Sequence, residues 1–269
     1  MYFVKMQDGS RLAVEDLNVE GKKTVLLIHG WPFSKEIFEY QKTFLVAKNY
    51  RVITYDIRGF GNSQVTAKNY DYNTFAIDLY YVIKALDLKD ITLVGFSMGG
   101  AIAVRYMAMF EQYGVGKLVL MGAAVPSFVK NKDNVYGKKK DDVEGLIAEL
   151  YNDRPKAVDK FGEDVFELHH SKSFKRWFRN ICYSASGIGT IRSAIALCNE
   201  NVLADLKKIT VPSAIFHGKL DKVCAFGLTK IMKNEIKNSI LIPFESSGHG
   251  IFYDEKAKLN LNLEKFIES

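Results

Sequence analysis

Cysteine is scarce in this chain. Its three cysteines, Cys182, Cys198 and Cys224, show neither metal-ligand spacing nor the pattern of a disulfide framework. That excludes a stapled secreted mini-domain and a cysteine-built zinc module, and it points to a reducing cytoplasm. Long hydrophobic runs are also missing. Nothing approaches the roughly 18–20 apolar residues of a membrane span, and no signal peptide is expected ahead of the fold. Nor does one sign of charge dominate. The formal net charge is +6, from 37 basic and 31 acidic residues. Much of the excess lies between Lys130 and Lys140, and Asp141-Asp142 follow at once. Without a nucleic-acid motif beside it, that run reads as a solvated loop. Neither nucleic acid nor a membrane is an expected partner; a small molecule is. Oligomeric state is not legible.

What the chain does contain suits one large α/β domain. It has 269 residues, 48% of them hydrophobic and 25% charged. Met1-Tyr2-Phe3-Val4 reads as a first strand, and Arg11-Leu12-Ala13-Val14 as its hairpin partner after the Asp8-Gly9 turn. Strand and helix patterns then alternate as far as Leu118-Val119-Leu120-Met121-Gly122. One helix shows the regularity well, with Phe75, Leu79, Val82, Ile83 and Leu86 on a single face and Asn73 as its expected N-cap. From about Pro126 to Asn199 helical stretches such as Val143–Leu150 and Ser173–Phe178 alternate with polar loops, and no buried strand is expected before Ser213. The pattern predicts a helical cap, residues 126–199, inserted into a core of residues 1–125 and 200–269. Phe174, Trp177 and Phe178 are expected to pack the cap on the core, while Ser184–Gly189 fits a hinge or an ordinary loop.

Chemistry concentrates at Gly95-Phe96-Ser97-Met98-Gly99-Gly100. An apolar strand, Leu93-Val94, runs into this motif, and a helical stretch follows it. A sharp strand–turn–helix of this kind exposes the serine hydroxyl as a nucleophile. A free hydroxyl is a poor nucleophile and needs a base, which in turn needs a carboxylate to orient it. Both candidates follow in chain order. Asp221 lies in the loop after the strand Ile215-Phe216-His217-Gly218, and His249 comes after the strand Ile240–Glu245. Asp205 precedes its strand and should sit at the wrong end of the sheet; Asp254 lies too close behind His249. His217 falls within or at the end of a strand. Cys224 reads as packing rather than as a reactive thiol.

Upstream, Thr24-Val25-Leu26-Leu27-Ile28 is a buried strand that enters His29-Gly30-Trp31-Pro32. The backbone N–H groups of Trp31 and of Met98 are the expected oxyanion-hole donors. His29 reads as a loop organiser, because the base is already assigned. The Trp31 ring fits either the acyl pocket or the core.

These motifs, together with Tyr55-Asp56-Ile57-Arg58-Gly59-Phe60-Gly61-Asn62-Ser63, span nearly the whole chain. The chain resembles the α/β-hydrolase superfamily, and within it the cofactor-free group of non-haem haloperoxidases (perhydrolases), carboxylesterases and carbon–carbon bond hydrolases. The resemblance implies a mostly parallel sheet flanked by helices, no cofactor and no metal, and hydrolysis of a carboxylic ester through an acyl-enzyme; the apolar cap and aromatic-rich chain favour a small hydrophobic ester. Serine at the nucleophile position argues against dehalogenation and epoxide opening, where family members carry aspartate. A perhydrolase, a carbon–carbon bond hydrolase and a slow-turnover ligand receptor remain open, since all share the elbow.

Overall fold

The computed structural model describes residues 1–269. Eight strands form one sheet in the order β1-β2-β4-β3-β5-β6-β7-β8. They are β1 (Tyr2–Lys5), β2 (Arg11–Leu17), β3 (Thr24–Ile28), β4 (Arg51–Tyr55), β5 (Ile91–Phe96), β6 (Val115–Met121), β7 (Ser213–Gly218) and β8 (Ser239–Phe244). Only the pairs β1/β2 and β2/β4 are antiparallel; all others run parallel. Parallel strands covered on both faces must be apolar throughout, and β5 is buried at every position. The helices that supply this cover are α1 (Glu39–Ala47), α2 (Tyr72–Ala85), α3 (Met98–Met109), α8 (Leu228–Glu235) and α10 (Lys256–Glu268).

The strand order places the site. The chain steps from β3 outward to β4, then returns to pair β5 on the other side of β3. Beyond the carboxyl ends of β3 and β5 their outgoing connections diverge, which leaves a crevice at this switch point. Ile28 and Gly95 are register partners there, so the loops carrying Trp31 and Ser97 begin side by side.

Between β6 and β7 lie α4 (Lys140–Glu163), α5 (Lys172–Tyr183) and α6 (Gly187–Asn199), with the short α7 (Leu203–Leu206) after them. α4 is two helices joined at a kink. Asp153 adopts φ −149° and ψ 81°, and its carboxylate accepts from the Lys156 N–H at 3.2 Å. Pro155, which could not sit deep in a helix, thereby falls in the first turn of the second half. Phe178 of α5 packs on Phe33 of the core at 5.4 Å between ring centroids. Phe174 stacks on Tyr253 of the four-residue helix α9 (Ile251–Asp254), and Trp177 meets Tyr40 of α1. These aromatics hold the helices to the core.

One sequence expectation changes. The N-cap of α2 is Asp71 rather than Asn73: the Asp71 carboxylate accepts from Thr74 N–H at 2.9 Å, and the helix begins one residue earlier than Asn73. Asn73 instead accepts from Arg105 at 2.7 Å. Both are good capping types, and the extended backbone at 71 decides between them. Residues 184–186 form the short connection between α5 and α6, and Gly187–Gly189 open α6. Ser186 caps α6 through Gly189 N–H, and the Ser186 N–H donates to the Gly59 carbonyl at 3.0 Å. No single helix in the chain is long and apolar enough to cross a membrane.

Candidate active site

Ser97 occupies the tight turn between β5 and α3 with φ 55° and ψ −119°, outside the regions that a non-glycine residue adopts freely. The turn is held on several sides. Ser97 N–H donates to Met121 O at 3.0 Å, and Ser97 O accepts from Gly100 N–H and Ala124 N–H. Backbone strain persists only where the surroundings over-determine it, as here. The neighbouring loop must approach closely: a Cβ on Gly30 would lie 2.6 Å from the Ser97 Cβ.

Asp221 and His249 are brought together by the ends of β7 and β8. The loops they sit on touch at Gly218, where an added Cβ would come within 2.1 Å of Gly248 O. His249 Nδ1 lies 2.8 Å from Asp221 Oδ2. The other carboxylate oxygen, Oδ1, accepts from the N–H groups of Val223 and Cys224, both at 2.8 Å. A carboxylate can only accept, so Nδ1 of His249 carries the proton and Nε2 carries the lone pair. Nε2 is buried and has no partner within the protein. The His249 ring rests 4.8 Å from that of Phe96, the residue immediately before Ser97. Burial alone would raise the Asp221 carboxyl; the charge of His249 and the ring N–H donors hold it well below the usual carboxylate range.

Asp254 has a different task. It accepts from Gly248 N–H and Glu167 N–H and pairs with His170 at 2.6 Å, which fixes the loop carrying His249. Asp205 pairs with Arg105 Nε at 2.8 Å and does not join the site.

His29 is buried and bridges two loops. Its Nδ1 donates to Gly30 O at 2.8 Å, and its Nε2 accepts from Ile57 N–H at 3.0 Å. Burial pushes it down to about 4, with Asp56 pulling the other way. A neutral, doubly bonded ring of this kind organises the loop.

Trp31 faces two ways. Its indole N–H donates to Thr190 O of α6 at 2.8 Å, and its ring meets Phe161 of α4 edge-on at 4.9 Å. Phe33 N–H donates to Gly30 O at 3.0 Å, and the Trp31 N–H makes no backbone hydrogen bond. Met98 opens α3, so its N–H has no intrahelical acceptor.

A narrow apolar slot ends at Ser97. Val143, Leu146 and Phe161 of α4, Leu197 of α6 and the Trp31 ring form its walls, and eight of its nine lining residues are hydrophobic. Its void is about 340 Å³ including the mouth.

Two contacts were not anticipated. His217 Nε2 lies 3.3 Å from Asp221 Oδ2. The Cys224 thiol, raised by burial and by the charge of Asp221, also lies in reach of the Ser97 hydroxyl. The i, i+4 spacing of His217 and Asp221 was the one available signal for the first; nothing local announced the second. No group of three or more His, Cys, Asp or Glu side chains gathers to hold a metal.

Known proteins resemble the chain along its length. A sequence profile described as alpha/beta hydrolase fold matches residues 23–256. The chain is 41% identical to the AB hydrolase superfamily protein YisY of Bacillus subtilis (strain 168), over all of this chain and 99% of that protein. An esterase from Exiguobacterium antarcticum superposes with TM-score 0.97 at 43% identity, covering 99% of each chain. A bromoperoxidase from Bacillus anthracis does so with TM-score 0.94 at 33% identity, over 100% of this chain and 99% of that one.

Proposed function

The chain belongs to the α/β-hydrolase-fold family, and on that premise we propose that it is a serine esterase for small hydrophobic carboxylic esters. Such an enzyme needs neither metal nor organic cofactor. The observation that carries the reading is the buried Asp221–His249 pair, whose ring packs on Phe96, the residue before Ser97, with its Nε2 unpartnered, while Ser97 lines an apolar slot.

In this reading Ser97 Oγ attacks the ester carbonyl while His249 Nε2 takes its proton, and Asp221 stabilises the resulting imidazolium. The N–H groups of Trp31 and Met98 receive the oxyanion, each contributing about 3–4 kcal/mol by the precedent for single donors. His249 then protonates the leaving alcohol. In the second half it deprotonates a water, which attacks the acyl carbonyl, and it returns that proton to Ser97 Oγ as the acid leaves. Residues 126–199 act as a helical cap that supplies the slot walls, on a core of residues 1–125 and 200–269.

The test is initial-rate hydrolysis of p-nitrophenyl acetate, butyrate and octanoate, with Ser97→Ala beside the parent. Turnover that disappears in the variant supports the reading, and the best chain length sizes the slot. Near-parental hydrolysis by Ser97→Ala would end it.

The likeness to a bromoperoxidase favours a second activity of the same acyl-enzyme. Hydrogen peroxide in place of water would attack the acyl carbonyl and leave as a peroxyacid, with Ser97 reprotonated. Peroxide-dependent oxidation of halide in the presence of acetate would report it.

A further inference from the structure

Asp221 receives one more donor than the proposed chemistry requires. His217, at the end of β7 and fully buried, places Nε2 2.7 Å from the Cys224 carbonyl oxygen and 3.3 Å from Asp221 Oδ2. A carbonyl only accepts, so Nε2 carries the proton. The other ring nitrogen, Nδ1, is buried without a partner. A lone pair is the cheaper occupant there, because a proton would add a buried donor with nothing to accept it. The Nε2–H hydrogen bond goes to the carbonyl of Cys224, and the same nitrogen stands 3.3 Å from the carboxylate oxygen that also faces His249.

We propose that His217 is a positioning residue for ester hydrolysis: its Nε2–H, anchored on the Cys224 carbonyl and 3.3 Å from Asp221 Oδ2, holds that oxygen in the orientation that serves His249. The proposal rests on the reading of Ser97, Asp221 and His249 as the catalytic set. The backbone donors of Val223 and Cys224 hold Oδ1 only, and a carboxylate held at one oxygen can pivot the other away. His217 supplies the second hold from a fixed base, because β7 pairs with β8 through the register His217↔Pro243. The Phe226 ring packs edge-on to it at 5.9 Å between centroids. It also ties the two ends of the 221–224 loop, since it reaches both Asp221 and Cys224. The groups facing Asp221 are His249 from the loop after β8, His217 from β7 and the Cys224 thiol from its own loop. Lys138, ahead of α4, exerts its charge on that thiol.

The experiment compares His217→Leu, which fills the space without a donor, with His217→Gln, whose amide N–H can reach the same two oxygens. kcat and KM for p-nitrophenyl butyrate are measured from mildly acid to mildly alkaline pH, with active sites counted by a covalent serine titrant. His217→Leu should lose about 10- to 100-fold in kcat, the scale on which supporting partners of catalytic ligands act, with KM nearly unchanged. Its acid limb of kcat/KM should move to higher pH, because Oδ2 then bonds the His249 imidazolium alone. His217→Gln should recover most of the rate and the parental limb. A parental rate and limb in His217→Leu would overturn the proposal. So would equal losses in both variants with an unmoved limb, the pattern of packing alone. Ser97→Ala, assayed in parallel, separates the two levels: activity there defeats the catalytic reading itself, whatever His217 does.

Discussion

Replacing Asp221 by asparagine keeps the side-chain shape and changes what it can accept. The carboxylate faces four N–H groups: the amides of Val223 and Cys224 on Oδ1, and the rings of His249 and His217 on Oδ2. An amide has one oxygen and one NH2, so either orientation sets two of those donors against another donor. If the oxygen stays on the backbone pair, the NH2 faces His249 Nδ1. That nitrogen must then accept, and its proton moves to Nε2, where the lone pair is needed for Ser97. A triad held in the wrong tautomer loses about 10,000-fold in kcat by the serine-protease precedent. At about 1.36 kcal/mol per tenfold, that is about 5.4 kcal/mol of transition-state stabilisation. The His217 N–H keeps the Cys224 carbonyl as its acceptor, so the donors now set against the new NH2 group should cost about 1–3 kcal/mol of fold stability. Hydrolysis of p-nitrophenyl butyrate and urea unfolding, run on parent and variant, read the two losses separately. A folded Asp221→Asn enzyme with kcat within tenfold of the parent would refute the reasoning.

Other outcomes follow from single contacts. Arg58 and Asp78 are each 2% exposed and form a bidentate pair at 2.6 and 2.7 Å. Arg58→Met strands a buried carboxylate and should cost about 3–5 kcal/mol in urea unfolding. His29, held down to about 4, stays neutral in the fold while the unfolded chain takes its proton near 6.5. Stability should therefore fall as pH drops through that window, by about 2 kcal/mol at pH 5 from this residue. The same titration on His29→Gln should lack that component, and equal slopes would exclude it. Gly30→Ala pushes a methyl toward the Ser97 Cβ; it should abolish turnover while the circular dichroism spectrum stays parental. Leu146→Trp narrows the slot and should lower kcat/KM for butyrate more than for acetate. A uniform drop across chain lengths would place Leu146 outside the acyl site.

The strands, the inserted helices and the elbow were legible because each is a local pattern. β5 is an unbroken apolar run into Gly-x-Ser-x-Gly, and α2 repeats its apolar face at helical spacing. Asp221 and His249 were legible because each follows a strand whose carboxyl end must lie on the same edge of a parallel sheet. The capping of α2 was misread because Asp71 and Asn73 are equally able caps, and only backbone angles choose between them. His217 and Asp254 were passed over for a different reason. Their partners, Cys224 O in one case and His170 and Glu167 N–H in the other, are set by how loops fold back. No periodicity encodes that. The tie from Ser186 to Gly59 joins residues far apart in the chain, so a glycine-rich stretch that looked loose is anchored.

Trp31 has a consequence for how relatives on this scaffold can diverge. Its ring is bolted to α4 and α6, while its backbone sits one residue past the glycine that touches Ser97. Pocket shape and reactivity therefore share a hinge pin. A substitution that reshapes the helices for a new acyl group also shifts the peptide proposed to receive the oxyanion. Selection for a new substrate on this framework should proceed by paired changes, one in the helical walls and one in the loop after β3, and directed evolution of the slot alone should stall.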